Sequence, residues 1–296
     1  MILGIDSSSV AGNKKIDWVQ AKAQGPLSFA LLRSNYGTMS DPQFSKEWPR
    51  IKNAGIVRGA YMFLQFPRKG RVKCASPQDQ AQTMVDALKD AQEEFDLPPV
   101  LDVEFPGDGR IETGMSPDEC FNWVDAAYAV LEQIAPNVMI YTSARVWRDD
   151  LKNIEPSSPI LESPLWLARY FFKAGPARRE GMFGQPPPVP QIKGRNGLIW
   201  WGDEDNWWIH QFQGDAVDFP GFSGKVDLNK FNPLTLGARG ARVQWVARRL
   251  GRTGSAFTID LVDAVRQFQT TNKLLADGVV GPRTFARLAA CSVPTT

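Results

Sequence analysis

Along residues 1–234, short apolar runs alternate with longer stretches whose apolar positions recur every three or four residues. The runs predict strands at Ile2–Asp6, Phe29–Ser34, Val57–Phe63, Val100–Glu104, Val138–Thr142, Leu165–Ala168 and Trp208–Gln213. The spaced stretches predict helices over Asp17–Gln24, Phe44–Ala54, Pro77–Glu94, Pro117–Ile134 and Ala144–Leu151. Ser76-Pro77 and Ser116-Pro117 each set a capping hydroxyl before a first-turn proline, and Gly25 and Gly55 suit helix ends. Alternating strand and helix implies a mainly parallel sheet, open or closed. Acids at the C-terminal ends of several strands favour closure into a TIM-like (β/α) barrel of irregular build, because barrel active sites form there.

The pattern breaks twice. Gly175–Gly197 carries Arg178-Arg179-Glu180, Pro186-Pro187-Pro188 and Pro190, which reads as a surface loop that could serve as a lid or be an idle insertion. Beyond Leu234, helical spacing returns at Val243, Val246, Ala247 and Leu250, at Leu261, Val265 and Phe268, and over Pro282–Ala290. We therefore expect two domains, a barrel over 1–234 and a small three-helix bundle over 235–296, the latter near the lower size limit for independent folding.

Charge supports the division. From Thr235 onward nine Lys and Arg face three Asp, a net of +6, so the remainder of a chain of net +2 carries −4. A basic second module suits an anionic partner such as nucleic acid, a membrane surface or a wall polymer, or simply has a solvated basic face. No run approaches a membrane-spanning length. The opening Met1-Ile2-Leu3-Gly4-Ile5-Asp6 already reads as a strand, so we expect cytoplasmic synthesis without a Sec leader. Cys74, Cys120 and Cys291 are odd in number and far apart, and are expected to be reduced and structural. A single histidine, His210, argues against zinc peptidases and His-based triads, and beside Trp207 and Trp208 it reads as a packed residue. No metal or other cofactor is expected.

The most informative chemistry is Val100-Leu101-Asp102-Val103-Glu104, following Pro98-Pro99. Strand alternation puts Asp102 and Glu104 on one side, with α-carbons about 6.6 Å apart. Two acids so placed repel, and one is expected to hold its proton near neutral pH. A charged carboxylate beside a proton-bearing one is what glycosidic cleavage requires. Solvated acids at a strand end would have the same spacing.

Several motifs decide between these readings. Gly4-Ile5-Asp6-Ser7-Ser8, Ile16-Asp17-Trp18, Gly59-Ala60-Tyr61-Met62-Phe63, Leu101-Asp102-Val103-Glu104, Ile140-Tyr141-Thr142, Leu165-Trp166-Leu167-Ala168 and Gly221-Phe222-Ser223-Gly224-Lys225-Val226-Asp227-Leu228-Asn229 follow one another in order. Together they resemble glycoside hydrolase family 25, the Chalaropsis-type muramidases, over nearly all of 1–233; that family usually has His where Met62 stands. Gly237-Ala238-Arg239-Gly240, Ala264–Gln269 and Leu275–Thr284 resemble the type 1 peptidoglycan-binding domain, with its usual Asp-Gly segment compressed to Gly254–Asp260.

The first resemblance implies four acids, Asp6, Asp102, Glu104 and Asp227. Glu104 is then the general acid, and Asp102 an ionised group that stabilises positive charge or orients the substrate's N-acetyl group. Asp6 and Asp227 hold the network or position water. Tyr61, Tyr141 and Trp166 match family positions for sugar contact, and Gln211 is a further candidate. Trp200, Trp201, Trp207 and Trp208 form a cluster expected to pack beneath the barrel, though some could line a glycan groove.

The function so implied is an endolysin-type lysozyme cutting the β-1,4 bond between N-acetylmuramic acid and N-acetylglucosamine. Its partner is bacterial peptidoglycan, without nucleic acid or stable membrane insertion. The expected protein is a phage-type monomer that acts on the wall after holin-assisted release. The alternatives are a catalytically weak wall-binding protein and a chitin-type glycosidase.

Overall fold

The structure, a computed structural model, describes residues 1–70, 74–105, 109–151, 159–172, 174–177 and 206–293. Their strands are β1 Ile2–Ser7, β2 Leu27–Tyr36, β3 Met39–Ser40, β4 Val57–Phe63, β5 Val100–Asp102, β6 Met139–Ser143, β7 Leu165–Phe172, β8 Gly175–Pro176, β9 Ile209–Val217 and β10 Val226–Phe231. Eight close a barrel in the order β1-β2-β4-β5-β6-β7-β9-β10, with β10 returning to β1. The two-residue strands β3 and β8 extend β2 and β9. All neighbours around the barrel are parallel except β10, which runs antiparallel to both β9 and β1.

Two-residue periodicity sorts each strand's side chains. Phe29, Leu31, Val57, Tyr61, Val100, Met139, Tyr141 and Trp166 belong to the cluster in the lumen. Their neighbours Ala30, Leu32, Ala60, Met62, Leu101, Ile140, Leu165 and Leu167 pack outward. Gly4 is required by this packing, since a Cβ there would lie 2.2 Å from the Phe29 ring. Outside run α1 Trp18–Gln24, α2 Phe44–Asn53, α3 Pro77–Leu88 and α4 Pro117–Leu131. The expected caps form: Asp79 N–H donates to Ser76 Oγ, and Ser116 and Glu119 make a reciprocal capping box.

Three expectations need correction. Val226–Phe231, unassigned from sequence, is the barrel's eighth strand, and its reversal makes the sheet mixed. The helix expected over Pro77–Glu94 ends at Leu88. The chain beyond it leaves helical geometry to surround buried Arg58, whose guanidinium donates to Asp96 at 2.7 Å and to the Ala91 carbonyl at 3.1 Å. Past Ala144 the expected helix becomes a π-helical turn, Val146–Asp150, and Asp150 accepts from Arg110 N–H and Arg145. Gly175–Gly197, apart from residues 175–177, lies outside the described residues, as do Trp200 and Trp201.

The C-terminal unit is α5 Ala241–Arg249, α6 Ile259–Thr271 and α7 Pro282–Ala289. Buried Gln269 ties two of its motifs together by donating to Asp277 and Thr284 and accepting from Gly278 N–H. The bundle covers the barrel end where the parallel strands begin. Trp208 and Phe285 stack with ring centroids 4.3 Å apart, and Phe231 and Trp245 complete the aromatic contact. Leu234 and Val280 exchange backbone hydrogen bonds, Asn137 donates to the Ala289 carbonyl, and Arg242 donates to the Asn232 carbonyl. Lumen and bundle thus share one apolar core. Among the described residues no helix is long and apolar enough to cross a membrane.

Candidate active site

The opposite end, where the parallel strands finish, gathers the acids. β1 and β10 pair with Asp6 directly across from Asp227. Asp102 ends β5 between Phe63 and Tyr141, and Glu104 continues the lumen-facing series Val100, Asp102, Glu104. Val103 between them points outward, and its backbone N–H and C=O are taken by Tyr141 O and Thr142 Oγ1. This fixes the exit of the strand and therefore the direction of Glu104.

Asp6 and Asp227 are each held by two donors. Asp6 Oδ2 accepts from Gln211 Nε2 and Asn229 Nδ2, both at 2.7 Å. Asp227 accepts from Asp215 N–H at 2.7 Å and from Gln211 Nε2 at 3.3 Å. Both amides are themselves held: Tyr141 OH donates to Gln211 Oε1 and Trp166 Nε1 to Asn229 Oδ1, each at 2.7 Å. Asp102 differs. It is 4% exposed, and its Oδ1 is buried with no hydrogen-bond partner among the described residues.

Four carboxylates in one lumen cannot all ionise at ordinary pH. Burial, then Asp227, pushes the Glu104 carboxyl up to about 7, against a smaller pull from Arg145. Burial lifts Asp227 to about 6, with the Asp215 N–H opposing. Burial and the Glu104 charge raise Asp102 well above the usual range, with Arg33 opposing. Burial and Asp227 raise Asp6, while Asn229 and Gln211 pull it down. Burial and the Asp227 charge thus bring the Glu104 carboxyl close to neutrality. Asp102, which sequence reasoning left ionised, is instead pushed toward its protonated form, by burial first and then by the Glu104 and Asp6 charges.

The other sequence candidates all converge here. Trp166 meets Tyr141 edge-on at 4.5 Å and Tyr61 at 5.8 Å, and all three rings are buried beneath the acids with Gln211. Trp208 lies at the far end of the barrel against Phe285, and Trp207 packs beside His210 and Lys230. His210 is buried and pushed down to about 4, so it is neutral and packed. Met62, at the family's usual histidine position, faces outward with 0% exposure, so this departure does not touch the acids.

Sequence reasoning missed Asn229, Arg33 and Tyr170. Asn229 follows Asp227 by two on β10, so the alternation of that strand would have found it. Arg33 is clamped by Asp41 and Ser9 on β2. Tyr170, 54% exposed, hydrogen-bonds to Tyr141 from the end of β7.

A closed eight-stranded barrel with acids converging at one end defines a glycoside hydrolase architecture. The chain belongs to the glycosyl hydrolases family 25, whose family model matches residues 5–218, and a peptidoglycan binding domain model matches residues 239–288. It is thus an enzyme of the lysozyme and muramidase type. It is 29% identical over 234 residues to Lysozyme M1 of Streptomyces globisporus, covering 78% of this chain and 68% of that protein. The crystal structure of the bacterial lysozyme from Streptomyces coelicolor superposes with a TM-score of 0.55 at 27% identity, covering 78% of this chain and 92% of that one. The fold is also that of the muramidase from Trichobolus zukalii, with a TM-score of 0.54 at 22% identity over 78% and 94% of the two chains.

Proposed function

We propose that this enzyme is an endolysin-type N-acetylmuramidase that hydrolyses the β-1,4 bond between N-acetylmuramic acid and N-acetylglucosamine in peptidoglycan. The observation that carries the assignment of the acid is the burial of Glu104 beside Asp227, which raises its carboxyl to about 7. Glu104 delivers its proton to the glycosidic oxygen as the C1–O bond breaks. Asp102 orients the substrate's N-acetyl group so that the acetyl oxygen turns toward C1. That oxygen closes on C1 as the leaving sugar departs. Water then opens the ring, giving its proton to the Glu104 carboxylate and leaving a new reducing end on muramic acid.

Asp227 supplies the negative field that favours a proton on Glu104, and Asp6 holds the network with Gln211 and Asn229. Tyr61, Tyr141, Trp166 and Gln211 form the bed of the sugar cleft. The basic C-terminal module suits the anionic wall. We extend the reading to a monomeric, phage-type protein made in the host cytoplasm and released with a holin's help.

Digestion of purified wall by wild type and Glu104→Gln, followed by mass spectrometry of the fragments, tests this. Muramic acid reducing ends from wild type, with at least a thousandfold loss in the variant, are expected. Chito-oligomers as the preferred product would favour a chitin-type glycosidase. Equal inertness with retained wall pelleting would favour a binding protein.

A further inference from the structure

The acids at the mouth are unequally supplied with donors, and the supply is set two residues back. Indole N–H only donates, so the Asn229 oxygen must face Trp166. The amide NH2 is then forced toward Asp6 Oδ2, 2.7 Å away. Rotating the amide would set N–H against N–H and oxygen against carboxylate, at a site where Asn229 is 0% and Trp166 1% exposed. Gln211 repeats the arrangement, with Tyr141 OH on its oxygen and its NH2 spanning Asp6 and Asp227.

We propose that Trp166 and Asn229 are a positioning pair for hydrolysis: the indole sets the amide, and the amide aims its NH2 at Asp6, opposing the burial and the Asp227 charge that favour a proton there. Its catalytic consequence rests on the muramidase reading above. Asp6 faces Asp227 from β10, Glu104 and Asp102 from β5 and its exit, and Tyr61, Tyr141 and Tyr170 from β4, β6 and β7. The cations here are Arg33 of β2, which acts on Tyr61 and Asp102, Arg145, which acts on Glu104, and Lys225, which acts on Asp227. Burial and Asp227 favour a proton on Asp6, and the two amides are the counterweight. Without Asn229, Asp6 holds its proton still more readily, the negative charge it can place near Glu104 shrinks, and Glu104 loses its own proton more easily.

The test follows side-chain carboxyl carbons by NMR through a pH titration, with Asp6 assigned by its loss in Asp6→Asn. Asn229→Leu and Trp166→Phe are each expected to raise the Asp6 midpoint by roughly 0.5–1 pH unit. The double variant should move it no further than the larger single, because both act through one amide. The alkaline limb of kcat/KM on purified wall should move to lower pH in step, a shift that a merely structural loss of activity would not produce. An Asp6 midpoint that stays or falls in a folded variant overturns the proposal, as do single shifts that add in the double. Should Asn229→Leu fail to fold, Trp166→Phe, which preserves the aromatic packing, decides alone. A wild type that releases no muramic acid ends would sink the muramidase reading instead, and leave the carboxyl titration interpretable.

Discussion

At the mouth of the barrel, four carboxylates are crowded against one another, and two amides, a backbone N–H and nearby arginines temper the repulsion. At the opposite end, Trp208, Phe231 and Leu234 meet Phe285, Trp245 and Val280 with complementary aromatic and apolar surfaces. The same strands build both ends, so the difference lies in which residue each strand carries at its start and at its finish. The floor gains stability by burying apolar area. The mouth gives stability up, since desolvated like charges oppose folding. Such a barrel concentrates its strength away from its chemistry.

Cutting the chain after Leu234 tests the contrast most severely. It bares Trp208 and Phe231, and the expected result is loss of cooperative thermal unfolding by circular dichroism. A truncated barrel that melts like the full chain would show that the bundle is only an appendage. Phe285→Ala removes the central ring of the seam and should cost about 3–5 kcal/mol in urea unfolding. The mouth should respond to pH instead. Glu104 has an ordinary value of 4.5 and a folded value of about 7, so its neutral form favours the fold, and that contribution fades as pH rises through about 7. The thermal midpoint should therefore climb as pH falls from about 8 to about 6.5, and Glu104→Gln should flatten the slope. Further acidification works the other way through His210, whose neutral buried form is lost toward about 4. The smallest effect is expected from Arg283→Ala, which removes an exposed hydrogen bond to the Gly55 carbonyl and should cost about 0.5–1 kcal/mol.

Seven barrel strands were legible because each is an apolar run bounded by turn residues. β10 was not recognised, since Val226, Leu228 and Phe231 are interrupted by Asp227, Asn229 and Lys230, polar residues that serve the lumen and the outer surface. The four acids were legible through motif order and strand-end placement. What escaped was their support: Asn229 and Trp166 are 63 residues apart in sequence, and only closure of the barrel brings indole to amide. The early end of α3 also escaped, because its cause, buried Arg58, lies on another strand. The upward push on Asp102 escaped for the same kind of reason, since spacing announces neighbouring charge but not burial.

The reversed direction of β10 has a topographic consequence. Had the last strand run with its neighbours, the polypeptide would leave the barrel beside Asp227, and whatever followed would sit over the cleft. Running backward, β10 places Asp227 at its beginning and delivers Asn232 and Leu234 to the far pole, where the helices can dock without shadowing the substrate's approach.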